Sequence, residues 1–262
     1  MTPFLALVRK ELTVLFGSPV AYLTLTMVGL ITALVYFDHL RVYNQILFLY
    51  STTTMGGFDT ATIPPYVNLR DQVFLPVMEQ LALMLIGLVP LATMRVFSEE
   101  RANGTDELLL STQLSPNQIV LGKFCSTILF VGLMLAVSFV YPATSLLTAQ
   151  LGLRHLVSVY VGLFALGVAL GSIGLICSAF SKSQLVAAIS AYAVAFVLYD
   201  FTWTSDFVGE TVVEFLDALS LHQRFGGFAE GLVSLADLAY FAGITLVAMS
   251  LARLSLELTR VR

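Results

Sequence analysis

Charge is what this chain lacks first. Lys, Arg, Asp and Glu make up 11% of its 262 residues, where an ordinary soluble domain carries about 25%. Hydrophobic residues take up 58%, and the mean hydropathy is +0.88. So little charge leaves most of the surface apolar, which excludes an ordinary soluble globule and places the chain in lipid. The net charge of −4 is small and dispersed, so no basic face is offered to nucleic acid. Cysteine is nearly absent too. Cys125 and Cys177 both lie inside apolar runs, as small packing residues and not as a disulfide or zinc pair. No G-x-x-x-x-G-K-[ST] phosphate cradle occurs. The nearest approach, 117–124, has Asn117 where the first glycine belongs and Phe124 where the hydroxyl residue belongs. No Asp-rich or His/Cys cluster has the spacing of a catalytic metal site. The chain is therefore expected to hold no cofactor, no metal and no catalytic residue of its own.

What fills the sequence instead is a series of apolar runs, six of them long enough to cross about 30 Å of hydrocarbon. They lie at about 20–37, 73–97, 117–149, 155–180, 184–200 and 237–258. The expected fold is a single all-α integral membrane domain over 1–262. Residues 3–16 read as an interfacial amphipathic helix. At 100° per residue Phe4, Leu5, Val8, Leu12, Leu15 and Phe16 share one arc, opposite Thr2, Arg9, Lys10 and Thr13. Glu11 falls at the edge of the apolar arc, where it either pairs with a neighbouring Lys or Arg or meets a docking partner. Gly17-Ser18-Pro19 breaks this helix and turns the chain into the bilayer. The run 20–37 is too long for the apolar core of a secretory signal. Residues 38–71, rich in Thr, Gly and Pro, read as a loop. Pro90 is expected to kink the second span, and Pro142 to mark the outer end of the third. Glu79, one turn into the second span, either sits at the interface or lines a path through the protein. His155 beside Arg154 reads as interfacial, and Gly167-x-x-x-Gly171 permits close helix approach. Residues 200–236 read as an amphipathic helical hairpin on the outer surface, broken at Gly226-Gly227.

The long polar stretch 94–124 lies between two spans and carries charges of both signs. A helix arriving from Leu81 runs out at Asn103-Gly104, where glycine can take a left-handed turn. Thr105 is placed to cap a short second helix, with Asp106 and Glu107 in its first turn. Ser115-Pro116-Asn117-Gln118 forms a capping box, with Leu114 and Ile119 as its hydrophobic staple. Counting Lys and Arg on alternate sides of six spans gives nine on the side of this stretch and four on the other. That bias puts the stretch and both termini in the cytoplasm.

Three groups of residues carry a resemblance. Met94-Arg95-Val96-Phe97-Ser98-Glu99-Glu100-Arg101 is followed by Gly104-Thr105-Asp106-Glu107-Leu108-Leu109, then by Ser115-Pro116 and Leu121-Gly122-Lys123-Phe124. Arg9-Lys10-Glu11-Leu12 with Phe16, Ser18, Pro19 and Tyr22 comes earlier, and Phe228-x-x-Gly231 with Asp237, Tyr240 and Phe241 later. In order and spacing the chain resembles the permease subunits of type-2 ABC exporters, most of all those of the gliding-motility and nitrous-oxide-locus subfamily. The resemblance implies an ATP-driven exporter of an unidentified substrate in a bacterial cytoplasmic membrane. It implies a cytoplasmic coupling helix between spans 2 and 3, and short re-entrant helices between spans 5 and 6. ATP and magnesium would be held by a partner chain, two ATPase subunits serving a pair of permeases, either two copies of this chain or this chain and a relative. Membrane lipid surrounds them, and an outer-face accessory protein is compatible with the subfamily. Glu99, Glu100, Arg101, Thr105, Asp106, Glu107 and Leu108 are the implied coupling residues, Lys10 and Glu11 further ATPase contacts, and Glu79 the candidate for the path. Two alternatives remain. One is a membrane scaffold in a motility-type or envelope assembly. The other is an ion-coupled secondary transporter, which would want paired mid-span ionisable groups where only Glu79 stands.

Overall fold

The computed structural model describes residues 3–55, 67–106, 114–148, 152–200 and 216–260, and all the regular structure among them is helical. In chain order the helices are α1 (Pro3–Phe16), α2 (Pro19–Met55), α3 (Leu75–Thr93), α4 (Ser98–Asn103), α5 (Pro116–Ser138), α6 (Val140–Thr148), α7 (Leu153–Phe180), α8 (Gln184–Tyr199), α9 (Leu221–Ala229) and α10 (Leu235–Arg260). A π-helical turn, Arg70–Phe74, leads into α3.

Five stretches are long and apolar enough to cross a membrane: Pro19–Thr52, Arg70–Asn103, Pro116–Ser138, Leu153–Phe180 and Leu235–Leu258. The protein is thus a multi-pass membrane protein. The stretch expected as a further span, α8, is apolar but only 16 residues long.

α7 runs through the middle because its sequence lets other helices come close. A Cβ at Gly167 would stand 2.6 Å from Cγ1 of Val131 on α5, and one at Gly171 only 2.8 Å from Cγ2 of Thr127. Without side chains at these positions the helices pack backbone to side chain, which is how association proceeds in lipid, where apolar burial gives no drive. Around α7 the core collects Phe74, Met78, Leu81 and Leu85 from the α3 side, Phe130 and Met134 from α5, and Phe225 and Phe228 from α9. α2, α8 and α10 each pack one face on this core, through Val28 and Tyr36, Ala195, and Phe241 respectively, and turn Leu, Val and Phe side chains outward, as lipid contact requires. α3 continues through Pro90, which cannot donate to the Ile86 carbonyl. One residue beyond, the Tyr192 hydroxyl of α8 donates to the Gly87 carbonyl at 2.6 Å.

The structure corrects several sequence expectations. The segment read as a loop from 38 is helical as far as Met55, so α2 has 37 residues. Glycine and proline appear only after Met55, and Leu40 and Tyr43 pack on the core and carry the helix onward. At 1.5 Å per residue α2 is about 55 Å long, well beyond the hydrocarbon thickness. α3 ends at Thr93 and gives way to the turn 94–97 and then α4, where one helix arriving from Leu81 was expected to run out at Asn103-Gly104. The third span ends at Ser138, not 149: Pro142 cannot donate to the Ser138 carbonyl, and α6 starts after a break at Phe139. Gly226-Gly227 does not break its segment but lies inside α9, because Leu221, Phe225, Phe228 and Ala229 bury one face. The chain reverses instead at Gly231, in the left-handed region at φ 88°. The remainder of the expected outer hairpin, 201–215, lies outside the described residues, as does 107–113, most of the expected coupling helix.

Candidate functional site

The site gathers at the end of the bundle that holds α1, α4 and the start of α5. α4 is six residues long, too short to be stable alone, and other elements supply its partners. At its start the hydroxyl of Ser178 on α7 accepts from the Phe97 and Ser98 amides at 2.9 and 3.0 Å and donates to the Met94 carbonyl at 2.9 Å. A residue from another helix thus does the work of an N-cap. At its end Gly104 takes φ 66°, and Thr105 returns its amide to the Glu100 carbonyl at 2.9 Å. That six-to-one closure is a Schellman turn, which only a left-handed residue allows without strain. Sideways, Arg95 pairs with Glu99 at 2.9 Å and donates to Ser18, while Arg101 donates to Ser255 of α10 at 3.1 Å. Ser255 itself donates to the Ala179 carbonyl at 2.9 Å.

Four charged side chains sit at the centre. Lys123, seven residues into α5, is completely buried, and its ammonium lies 3.1 Å from Glu11, 2.9 Å from Glu100 and 2.7 Å from the Val96 carbonyl. The Glu11 and Val96 contacts are hydrogen bonds, and the Glu100 contact is an ion pair. The ammonium also stands 4.9 Å from the centroid of the Phe97 ring. Lys10 closes the group from the rim, 3.0 Å from Glu11 and hydrogen-bonded to Glu100. Burial pulls the Lys10 ammonium downward, but its bonds to Glu100 and Glu11 outweigh that and raise it above the ordinary lysine value. Two cations and two anions leave the group neutral. Beside the group a cleft of about 470 Å³ opens, lined by Lys10, Glu11, Arg95, Glu99, Glu100 and Thr105 among others.

The approach of α1 depends on the residue before Lys123. A Cβ at Gly122 would lie 2.6 Å from Cδ2 of Leu7, so glycine lets α1 settle onto α5 with Leu7 and Glu11 as its buried residues. Glu11 is therefore central to the packed face and not at its edge, because Lys123 supplies a counter-charge there. On the other side of the polar stretch, Ser115 accepts from the Gln118 amide at 3.3 Å and Gln118 answers the Ser115 amide at 3.0 Å. Ile119 is buried and Leu114 packs on the same cluster, as a staple requires.

Of the residues singled out in the sequence, Lys10, Glu11, Glu99, Glu100 and Arg101 come together here, and all five are engaged within the chain. Thr105 is exposed and Asp106 half-exposed just beyond α4. The Thr105 hydroxyl donates back to the Glu100 carbonyl at 3.3 Å, and the helix it was expected to cap lies mostly in 107–113, outside the described residues. Glu107 and Leu108 lie outside the described residues. Glu79 is exposed on α3, apart from this group. Lys123, Ser178 and Ser255 were not anticipated as site residues. For Lys123 a signal existed, a lysine two turns inside an otherwise uncharged span; the serines carry none. Among the described residues no three His, Cys, Asp or Glu side chains converge as a metal site would need.

The model of the ABC-2 family transporter proteins matches residues 6–214, a stretch that contains most of α1, all of α4, Lys123 and Ser178. No curated protein matches the chain.

Proposed function

From the premise that the chain belongs to the ABC-2 family of transporter proteins, we propose that it is the permease of an ATP-driven exporter, moved from its α1–α4 end by a separate ATPase. The family associates with ABC ATPase subunits in general; the further reading is two such subunits on a pair of permeases, either two copies of this chain or this chain and a relative. ATP and magnesium belong to those subunits, and this chain is non-catalytic. The order of its motifs puts it nearest the gliding-motility and nitrous-oxide-locus permeases. Its membrane is the bacterial cytoplasmic one, crossed six times, with both termini inside. α8 serves as the fifth crossing despite its length of about 24 Å, since a short span is accommodated by local thinning and flanking polar residues. Ala187, Ala188, Ala191 and Ala195 of α8 are buried, which supports that reading.

One observation carries the mechanism: α1, α4 and α5 are tied into one body through Lys123, Glu11 and Glu100, immediately before the exposed Thr105 and half-exposed Asp106. A subunit that grips 105–113 and shifts during ATP hydrolysis moves that body as a unit, and with it α3 and α5, which continue into the membrane. The substrate path then opens and closes between permease copies. Glu100 and Arg101 act here as positioning residues, since their side chains face inward, whereas Asp106 and Glu107 are the contacts offered to the motor.

The test is purification of the assembly with Asp106→Arg and Glu107→Arg combined. The expected result is loss of the co-purifying ATPase, about tenfold, with membrane insertion and thermal stability unchanged. An unaltered yield of ATPase, or a wild-type assembly with no nucleotide-hydrolysing chain, overturns the proposal.

A further inference from the structure

A second feature lies outside this site. A groove of about 1070 Å³ runs between α8 and α10 with α7 as its floor. Its walls are aliphatic for most of their length: Ile173 and Ile176 on α7, Val186 and Val194 on α8, Val247 and Leu251 on α10. Among the described residues no Asp or Glu lines it, and the one charge that does is Lys182, exposed in the turn between α7 and α8, with no ion pair to a described residue. Next to Lys182 the Ser183 hydroxyl makes no cap bond to α8, so the first amides of that helix add to the positive potential. Lys182 follows Ala179, whose carbonyl Ser255 engages, by three residues, so the charged end of the groove is the end where Lys10, Arg95, Arg101 and Lys123 collect.

We propose that this groove holds a phospholipid with an anionic headgroup. Its acyl chains lie along the α7 floor and its phosphate rests at Lys182 and Ser183. The occupant follows from the shape and the charge together. An apolar channel along the membrane axis selects chains, and one cation at headgroup depth, with no acid beside it, selects a negative head. A zwitterionic lipid fills the same channel but gains less from Lys182. Gly243 marks room left for the chains, since a Cβ there would meet no atom within 4 Å although the residue lines the groove. The inference needs the bundle to lie in a bilayer and does not depend on the transport reading.

The complete chain, purified in mild detergent and mixed with equal amounts of phosphatidylglycerol and phosphatidylcholine, is read by native mass spectrometry for retained lipid. Phosphatidylglycerol is expected to be retained preferentially, and Lys182→Gln to lower that preference about fivefold, the effect of one lysine at an anionic membrane surface. Gly243→Leu fills open space, so it should lower retention of both lipids without lowering the melting temperature. Soluble glycerol phosphate should not displace the lipid. Equal retention of the two lipids by the wild type, or an unchanged preference in Lys182→Gln, overturns the proposal. So do displacement by glycerol phosphate, full retention in Gly243→Leu, and cross-linking of Gly243→Cys to a second copy, which would assign the groove to a protein interface. None of these readouts involves ATP hydrolysis, so they stand or fall apart from the transport proposal.

Discussion

Lys123 has no route to water. Its side chain is fully buried, hydrogen-bonded to Glu11 and the Val96 carbonyl and ion-paired with Glu100. Such a group adds little as a pair compared with apolar residues of the same volume, but removing one member strands the others. Lys123→Met is therefore expected to destabilise the protein by about 3–5 kcal/mol, since two carboxylates are left facing a single rim lysine. The melting temperature in detergent measures the loss. Adding Glu11→Gln to Lys123→Met should recover part of it, so the double variant falls short of the sum of the singles. Strict additivity would mean that the two residues do not interact. The pairing of Glu11 with Lys123 spans 112 positions, and nothing in a helical period reveals it. A carboxylate on an apolar arc and a lysine deep in a span were each visible as anomalies, but only the tertiary structure joins them.

Elements with local chemistry were legible, and those built by packing were not. The bounds of α1, the left-handed end at Gly104 and the Ser115–Gln118 box follow from a few neighbouring residues, and the structure has all three. The passage of α9 through Gly226-Gly227 depends on a buried face outweighing weak helix formers, roughly 1 kcal/mol for each glycine, and the extension of α2 to Met55 goes with Leu40 and Tyr43 packing on the core. α4 is the extreme case, since its first amides are satisfied from α7. Ser178→Ala should leave the Phe97 and Ser98 amides without acceptors at a cost of about 1–3 kcal/mol. Hydrogen exchange at those two amides is expected to quicken while the cores of α3 and α7 keep their protection. Unchanged exchange at 97 and 98 would show that α4 holds its place without the serine.

At the scale of the molecule the polarity of the bundle can be tested directly. Lys10, Arg95, Arg101 and Lys123 interact at one end, whereas Arg70 reaches the Glu230 carbonyl and Arg224 pairs with Asp237 at the other. Positive charge thus favours the α4 end, as the amino-acid order alone indicated. With Cys125 and Cys177 replaced by alanine, a cysteine at exposed Asn103 should react with an impermeant reagent only in inside-out vesicles. One at exposed Gln45 should react only in right-side-out vesicles. Labelling of both from one side would contradict the crossing by α3.

α2 touches the charged end through α1 and Ser18, yet it runs on for 37 residues, far past the hydrocarbon. A rod of that length is a lever. If its inner end is turned by about 10°, the far tip, some 55 Å away by the rise of an α-helix, travels roughly 10 Å. A displacement too small to notice where a motor would pull therefore arrives beyond the opposite headgroups as a movement the width of a helix.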